Sequence, residues 1–318
     1  MNEEEIEVPI YLITGFLESG KTSFLNFTLR QDYFQLEEPT LLINTEEGEE
    51  TYDAKDLLKY HTLVENATEQ DSFNVKLLRQ YQRQHNPGRV VLEYNPFWSV
   101  ASLEAMKLPD GWGIVQKIVI VDASTFQVYM NNMKSLFVEM VRNADMVLFN
   151  RSSADLPLAN FRRSVKVVSP GCSVEFAGEN NEPVDIFEDD VPYDITQDPI
   201  VIDDIDYGIF YVDMRDNPER YDGKLVRFRA RVLKSSRTDA DIFMPARPAM
   251  TCCAEDVQYI GYICHSKNAR RLTEGSWIEL TARVKWEYVD LAGEEEPVFY
   301  AKSIQAARAP EDEMVYFN

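Results

Sequence analysis

A glycine-rich stretch near the N-terminus holds the residues with the clearest chemistry. Residues 15–22 read G-F-L-E-S-G-K-T and fit the spacing G-x-x-x-x-G-K-[ST] of a phosphate-binding loop. Gly15 and Gly20 let the backbone turn tightly and bring its N–H groups close to an anion. Lys21 adds a positive charge for the β- and γ-phosphates, and the Thr22 hydroxyl is a ligand for Mg²⁺. Nucleotide binding is therefore predicted for seven residues: Gly15, Glu18, Ser19, Gly20, Lys21, Thr22 and Ser23.

The sequence on either side of this loop has the elements that must position it. Residues 10–13 form a compact apolar run, which is typical of a buried parallel strand. Residues 23–29 continue as a helix whose apolar positions can face a sheet. A chance match to the loop pattern is expected in roughly 1% of chains of this length. The flanking strand and helix lower that figure, so they favour a true phosphate-binding loop.

Further apolar runs alternate with helical patterns as far as about residue 170. The predicted strands cover residues 40–44, 61–66, 89–94, 113–121, 145–150 and 165–169. Strands that alternate with helices, with the loop after the first strand, indicate a doubly wound, mainly parallel sheet. We therefore predict an α/β P-loop NTPase domain over residues 1–173.

The second half of the chain differs from the first in composition and in the spacing of its apolar residues. Residues 174–204 are rich in Asp, Glu and Pro and contain no Lys or Arg, and we interpret them as an acidic linker. Beyond them the apolar period changes to two, as in residues 225–232, where apolar residues alternate with arginines. Several short strands within about 110 residues predict a small all-β, OB-like barrel domain over residues 205–318.

The composition argues against several classes of protein. The net charge is −22, whereas a general nucleic-acid-binding surface and docking on anionic lipid both need basic residues. The chain has no long apolar run of membrane-spanning length, and residues 1–5, M-N-E-E-E, lack the apolar core of a signal peptide. The four cysteines are too few and too clustered for a disulfide scaffold. We expect a cytoplasmic protein with no direct membrane insertion and no nucleic-acid partner.

A candidate zinc site in the second domain consists of Cys252, Cys253, Cys264 and His265. A hairpin would bring the two pairs together, and three cysteines with one histidine can hold zinc. Adjacent cysteines on a strand point to opposite faces, however, and small thiols also pack in barrel cores. The sequence leaves a zinc site and buried thiols as alternatives.

Two charged clusters also leave alternatives open. Glu46, Glu47 and Glu49 follow the second predicted strand; they either help to hold Mg²⁺ and position water or have no role. The arginines of residues 227–231 form either an oligonucleotide-binding face or a solvated face that pairs with the acidic linker.

The first half of the chain resembles the CobW/HypB/UreG family of P-loop GTPases. Residues 8–22 fit the pattern V-P-x-x-x-[LI]-T-G-F-L-x-S-G-K-T, in which the T-G-F-L lead-in is more specific than a bare P-loop. Asn44 with residues 46–48, Glu93, residues 119–123 and residues 144–150 resemble further family segments in the same order. The resemblance covers about residues 6–170. It implies GTP binding, Mg²⁺ dependence and slow hydrolysis coupled to metal delivery or metal-centre assembly.

The same resemblance implies roles for individual residues. Glu93 resembles the acid that ends the Walker B strand, so it would place Mg²⁺ together with Thr22. Lys21 and Glu93 would then be the catalytic residues. Asn150 resembles the residue that contacts the base. The implied protein is a slow GTPase that acts as a switch or metallochaperone in metal homeostasis.

Three positions depart from the family pattern. The family's C-x-C-C metal motif is absent, since no cysteine lies in residues 1–171 and the expected place reads E-N-A-T at residues 65–68. The guanine-reading N-K-x-D is N-R-S-S at residues 150–153, and Asp155 lies two residues too late. Glu93 is followed by Y-N-P, and Pro96 has no N–H to offer a γ-phosphate. The choice between GTP and ATP therefore stays open.

The second half resembles the C-terminal domain of the YcgQ-like permease-subunit family. The similar segments are Y-D-G-K at residues 221–224, M-T-C-C-A at residues 250–254 and G-S-W-I at residues 275–278. This resemblance implies an accessory role beside a membrane permease for a metal or small solute. The expected protein partner is therefore a permease or, as an alternative, a metalloprotein. It also supports an alternative function, in which the P-loop domain is a degenerate scaffold and the β-domain is a permease-accessory or metal-binding module. Homo-oligomerisation stays open.

Overall fold

The structure is a computed structural model that describes residues 6–48, 50–184, 191–235, 240–250, 257–290 and 292–315. The chain divides into two compact units, Met1–Ile186 and Phe187–Asn318. Within the described ranges, no helix combines the length and the apolar character that crossing a bilayer would require.

The first unit contains a seven-stranded sheet in which every described pairing is parallel. Its strand order is β3-β2-β4-β1-β5-β6-β7. The strands are β1 Val8–Thr14, β2 Thr40–Asn44, β3 Thr62–Asn66, β4 Arg89–Glu93, β5 Trp112–Asp122, β6 Met146–Asn150 and β7 Ser173–Phe176. The helices are α1 Lys21–Thr28, α2 Ala54–Leu57, α3 Val75–His85, α4 Val100–Glu104, α5 Phe126–Val141 and α6 Leu158–Val168.

Apolar residues fill both faces of this sheet. Along β1, Ile10 and Leu12 pack in one buried cluster while Ile13 packs in another on the opposite face. Such a strand reads as a continuous apolar run because neither face meets water. The predicted doubly wound α/β fold is confirmed, and its β1–α1 connection places residues 15–20 at the carboxyl edge of the sheet.

One predicted strand of this unit is wrong. Residues 165–169 were expected to be extended because three of them are valines, but they lie at the end of helix α6 and just beyond it. Leu158, Phe161 and Val165 are buried at spacings of three and four residues, which is the period of a helix face. The longer helical period outweighs the weak strand preference of the valines. The last strand is instead β7.

The described residues of the second unit form a mixed sheet and one α-helix. The strands are β8 Ile200–Val201, β9 Leu225–Leu233, β10 Ile242–Met250, β11 Val257–Gly261, β12 Cys264–His265, β13 Trp277–Val289 and β14 Glu294–Ala306, and the helix is α7 Tyr207–Asp216. Strand β9 pairs with both β13 and β10, and the chain of pairings β9-β10-β12-β14-β13-β9 closes on itself. Five strands thus form a closed ring, as a small barrel requires, and this is compatible with the OB-like prediction.

The residues expected to form an acidic linker contribute a strand to each sheet. Most of β7 lies within residues 174–204, and it extends the first sheet through its parallel pairing with β6. Strand β8 lies in the same stretch and pairs with β9 in the second sheet. The first predicted domain, which ends at residue 173, therefore contains only the first residue of β7. The second, which begins at residue 205, leaves out β8.

Candidate functional site

The loop between β1 and α1 has a backbone that only glycine fits at two positions. Gly15 has φ +149° and Gly20 has φ +94°. A Cβ on Gly15 would lie 2.0 Å from the carbonyl oxygen of Ile120, and one on Gly20 would lie 2.4 Å from Nδ2 of Asn150. The loop therefore passes so close to β5 and β6 that a side chain at either position would clash. This tight turn is what the sequence pattern predicted.

Lys21 is buried at the start of α1, with 3% of its side chain exposed. Its Nζ donates hydrogen bonds of 2.9 Å to the carbonyl oxygens of Gly15 and Phe16. It also forms an ion pair of 2.8 Å with Oε2 of Glu46. An ammonium group has three donors, so these three contacts use all of them.

A carboxylate and two hydroxyls meet beside Lys21. Glu93, at the end of β4, is 2% exposed, and its Oε1 accepts a hydrogen bond of 3.1 Å from the Thr22 hydroxyl. Its Oε2 accepts a hydrogen bond from the Tyr52 hydroxyl. Burial raises the pKa of Glu93, against the hydrogen bond from Tyr52 and the charge of Lys21. Burial and the nearby carboxylate also raise the pKa of Tyr52 far above its usual value, so Tyr52 stays a donor. The pair Thr22–Glu93 supplies hard oxygen atoms, which are the ligands that Mg²⁺ takes.

The hydroxyl of Ser19 is buried within the loop and has no hydrogen-bond partner among the described residues. It lies 3.0 Å from the position that a Cβ on Gly15 would occupy, so it belongs to the same cradle. A buried polar group without a partner costs about 1–3 kcal/mol. An anion held by this loop would remove that cost.

The loop is tied to the end of β6 by Asn150 and Arg151. Nδ2 of Asn150 donates to the carbonyl oxygen of Ser19 at 3.4 Å. Arg151 donates to the carbonyl oxygen of Glu18 at 3.0 Å and pairs with Asp122. The side chain of Asn150 is therefore directed at the backbone of the loop, and its contact with the base stays a prediction.

The missing carboxylate of the N-K-x-D pattern is not replaced in this cavity by Asp155. The Asp155 side chain is exposed and is absent from the cavity lining. A hydrogen bond from Ser153 lowers the pKa of Asp155, so the carboxylate is engaged within its own turn.

Several of these groups line a cavity of about 270 Å³. Its lining consists of Leu17, Glu18, Gly20, Lys21, Thr22, Ser23, Glu46, Gly48, Glu50, Glu93, Asp122, Thr125, Tyr129 and Arg151. The sequence identified the loop residues and Glu93, and the structure brings them together. It did not identify Tyr129, which stacks on Phe16 with ring centroids 4.1 Å apart, or Tyr52, since no local pattern marks either residue.

The backbone after Glu93 has no N–H group to offer to this cavity. The N–H of Tyr94 donates to the carbonyl oxygen of Ile13, and that of Asn95 donates to Oγ1 of Thr45, both at 2.8 Å. Pro96 has no N–H, and the N–H of Phe97 donates to Oδ1 of Asn95 at 3.0 Å. A donor that could stabilise developing charge on a γ-phosphate is therefore missing from residues 94–97.

The place of the family's metal motif has no thiolates. The carboxylate of Glu65 lies 2.7 Å from Nε2 of His85. The side chain of Asn66 accepts a hydrogen bond from that of Asn44. In the parts of the chain that the structure describes, no three His, Cys, Asp or Glu side chains are grouped to hold a metal ion.

The structure describes two of the four candidate zinc ligands of the second unit, Cys264 and His265. Cys252 and Cys253 lie outside the described residues. Cys264 is fully buried, whereas the neighbouring His265 is half-buried and stacks on Tyr300. Since neighbours on a strand point to opposite faces, Cys264 and His265 do not converge on one point. The four-residue zinc site stays a prediction.

Burial makes the two described cysteines poor nucleophiles, and this can be measured. It raises the pKa of Cys172 to about 11 and that of Cys264 to about 12. In a Cys252→Ser/Cys253→Ser variant at pH 8, we expect both thiols to react with a disulfide reagent at least about a hundredfold more slowly than in the unfolded chain, where the thiol pKa is about 8.5. Rapid modification of either thiol in the folded variant would contradict this expectation.

Two family models match segments of the chain. Residues 9–159 match the model of the CobW/HypB/UreG nucleotide-binding domain, and residues 186–317 match that of the DUF1980 C-terminal domain. A search of curated proteins gave no match.

Three solved structures are similar to part of the chain. A Zn(II)-bound triple mutant of the YjiA GTPase is 19% identical, with 56% of this chain and 59% of that chain covered and a TM-score of 0.42. HypB from Archaeoglobus fulgidus is 14% identical, with coverages of 55% and 83% and a TM-score of 0.41. HypB from Helicobacter pylori in complex with nickel is 11% identical, with coverages of 54% and 80% and a TM-score of 0.36. The match thus spans less than two thirds of the YjiA chain.

The family matches confirm the resemblances that were predicted from the sequence. Each match falls almost entirely within one of the two compact units. The chain therefore joins a segment of the CobW/HypB/UreG nucleotide-binding type to a segment of the DUF1980 C-terminal type.

Proposed function

We propose that the first unit binds Mg²⁺ and GTP and is a slow GTPase that works as a switch or metallochaperone in metal homeostasis or metal-centre assembly. The observation that carries this proposal is the buried Lys21 at the head of a glycine cradle, beside the Thr22–Glu93 pair. A buried cation next to a helix N-terminus and an unsatisfied hydroxyl is suited to a polyphosphate.

The residues present fit the nucleotide and its metal. Gly15, Gly20 and the intervening backbone would hold the phosphates, and Lys21 would balance their charge. Thr22 and Glu93 would hold Mg²⁺, directly or through water. The bound ion would supply charge neutralisation on the phosphate oxygens. Asn150 would contact the base from the side of β6.

The proposed hydrolysis is the attack of water on the γ-phosphate, in line with the leaving oxygen. Lys21 would stabilise the charge that develops on the phosphate oxygens. Since residues 94–97 offer no N–H donor, the transition state would have one fewer stabilising contact. Loss of a single such donor elsewhere costs about 10²–10³ in rate, which supports slow turnover.

The second unit supports a different candidate function. The missing carboxylate at the N-K-x-D position and the absent thiolates favour a first unit that is only a scaffold. The DUF1980-type unit would then carry the activity, as a cytoplasmic accessory of a permease or as a metal-binding module. Metal analysis of the Cys252→Ser/Cys253→Ser variant against the unmodified protein tests the second part, because equal metal content would remove the cysteines from consideration.

Calorimetric titration of the full chain with non-hydrolysable GTP and ATP analogues, with and without Mg²⁺, tests the main proposal. We expect micromolar binding of the GTP analogue that weakens at least about tenfold in EDTA, since Thr22 and Glu93 would lose the metal that they share with the phosphates. Equal affinity for both nucleotides would mean that the site binds triphosphates without selecting the base. Absence of binding by both would overturn the proposal and favour the scaffold.

A further inference from the structure

Glu46 places a carboxylate on the lysine of the phosphate-binding loop. The Glu46 and Lys21 side chains are 9% and 3% exposed, and the distance between their charged atoms is 2.8 Å. The other two donors of Lys21 are held by the carbonyl oxygens of Gly15 and Phe16. Glu46 therefore holds the one donor of Lys21 that is not tied to the loop itself.

We infer that Glu46 is an internal anion that competes with the phosphates of the nucleotide for Lys21. The inference rests on the proposed function, since it concerns the same site. A carboxylate and a phosphate oxygen are both acceptors of charge-assisted hydrogen bonds from an ammonium group. A phosphate can reach the Lys21 donor only after Glu46 has left it.

Glu50 and Tyr52, which follow Glu46 closely in the chain, also contact the same site. Oε2 of Glu50 accepts a hydrogen bond of 2.6 Å from the Ser23 hydroxyl. The Tyr52 hydroxyl donates to Glu93, which also accepts from Thr22. A backbone shift near Glu46 that takes its carboxylate away from Lys21 would therefore strain the Glu50–Ser23 and Tyr52–Glu93 contacts. Phosphate binding would in this way be coupled to the positions of Glu50 and Tyr52, which would give the nucleotide a means to signal its presence.

The competition lowers nucleotide affinity by an amount set by the free energy of the Glu46–Lys21 contact. A hydrogen bond to a charged group contributes enough to change an equilibrium constant by roughly tenfold to a hundredfold. A glutamine at position 46 keeps an acceptor for Lys21 and the same size but removes the negative charge. The neighbouring Glu47 offers a matched control, because its exposed side chain contacts Thr68 at 3.5 Å and does not line the cavity.

The experiment compares the unmodified full chain with its Glu46→Gln and Glu47→Gln variants. Each is titrated with inorganic tripolyphosphate, a non-hydrolysable GTP analogue and guanosine at constant salt. We expect Glu46→Gln to bind the first two ligands at least about tenfold more tightly, and Glu47→Gln to change by less than about twofold. Guanosine has no phosphate and should gain nothing.

The possible outcomes separate the inference from the proposed function. If the unmodified protein binds the GTP analogue and Glu46→Gln binds it no better, the inference is wrong and the proposed function stands. A gain that appears with guanosine as well would also overturn the inference, because the effect would not lie at the phosphates. If none of the proteins binds a phosphate ligand, both are overturned. Thermal unfolding checks that Glu46→Gln is folded, and Glu46→Asp, which withdraws the carboxylate by one methylene, should show a smaller gain.

Discussion

Replacement of Lys21 by alanine should weaken the binding of a GTP analogue by at least about a hundredfold. The Lys21 ammonium is the only cation besides Arg151 in the described cavity lining, which also contains five carboxylate side chains. Without it, the phosphates would meet a surface of strongly negative potential in a buried place where screening by water is weak. Each charge-assisted contact that is lost costs about 1.5–3 kcal/mol, and the repulsion adds to that cost.

Calorimetry of the Lys21→Ala variant at fixed Mg²⁺ measures this effect. The control is Lys59→Ala, which removes the same charge from an exposed side chain paired only with Asp56 on the surface of the same unit. That control should change the affinity by less than about twofold. Because Lys21→Ala leaves Glu46 buried without its partner, circular dichroism should confirm that the variant is folded. An affinity equal to that of the Lys59→Ala control would contradict the assignment of Lys21 to the phosphates.

The phosphate-binding loop could be predicted from the sequence because its residues are adjacent in the chain. Gly15, Gly20, Lys21 and Thr22 lie within eight positions, and their spacing follows from the geometry of one strand–turn–helix unit. The apolar runs predicted most strands of the first sheet for a similar reason. A strand that is buried on both faces leaves a continuous apolar signal.

The contacts that distant segments make around the loop could not be predicted in the same way. Tyr52 and Glu93 are 41 positions apart, and Ser23 and Glu50 are 27 apart. Their contacts depend on how β4 pairs with β1 on one side and with β2 on the other, which local patterns do not specify. The strand predicted at residues 165–169 was wrong because local valine content was given more weight than the helical spacing from Leu158.

The structure shows one ion pair between the arginines of β9 and the acidic stretch that precedes α7. The arginines of β9 were left as either an oligonucleotide-binding face or a face that pairs with the acidic stretch. In the structure Arg229 pairs with Asp204, the last residue of that stretch. The same Asp204 carboxylate also holds Arg247, a residue that no sequence pattern singled out.

Arg247 is the largest charged side chain in the core of the second unit, and it is 1% exposed. Its Nη1 lies 3.0 Å from Oδ1 of Asp204, and its Nη2 donates to the carbonyl oxygen of Asp312 at 3.0 Å. The guanidinium also lies over the Trp277 ring, 5.2 Å from its centroid. Burial lowers the pKa of Arg247, and the Asp204 charge opposes that shift. Arg247 thus holds together the segment before α7, the strand β13 and the C-terminal stretch.

Replacement of Arg247 by alanine should therefore destabilise the second unit by about 3–5 kcal/mol, because it removes a fully buried side chain together with its packing on Trp277 and its hydrogen bonds to Asp204 and Asp312. Arg229→Ala is the matched control: it removes a 39% exposed partner from the same Asp204 and should cost less than about 1 kcal/mol. Hydrogen exchange of the amides in β9, β13 and β14 measures the free energy of opening for this unit alone. Equal losses in the two variants would show that Arg247 contributes no more than a surface ion pair. A large loss confined to Arg247→Ala would instead identify the buried guanidinium as the group that fixes the C-terminal stretch on the barrel, since the surface pair shares its carboxylate but not its burial.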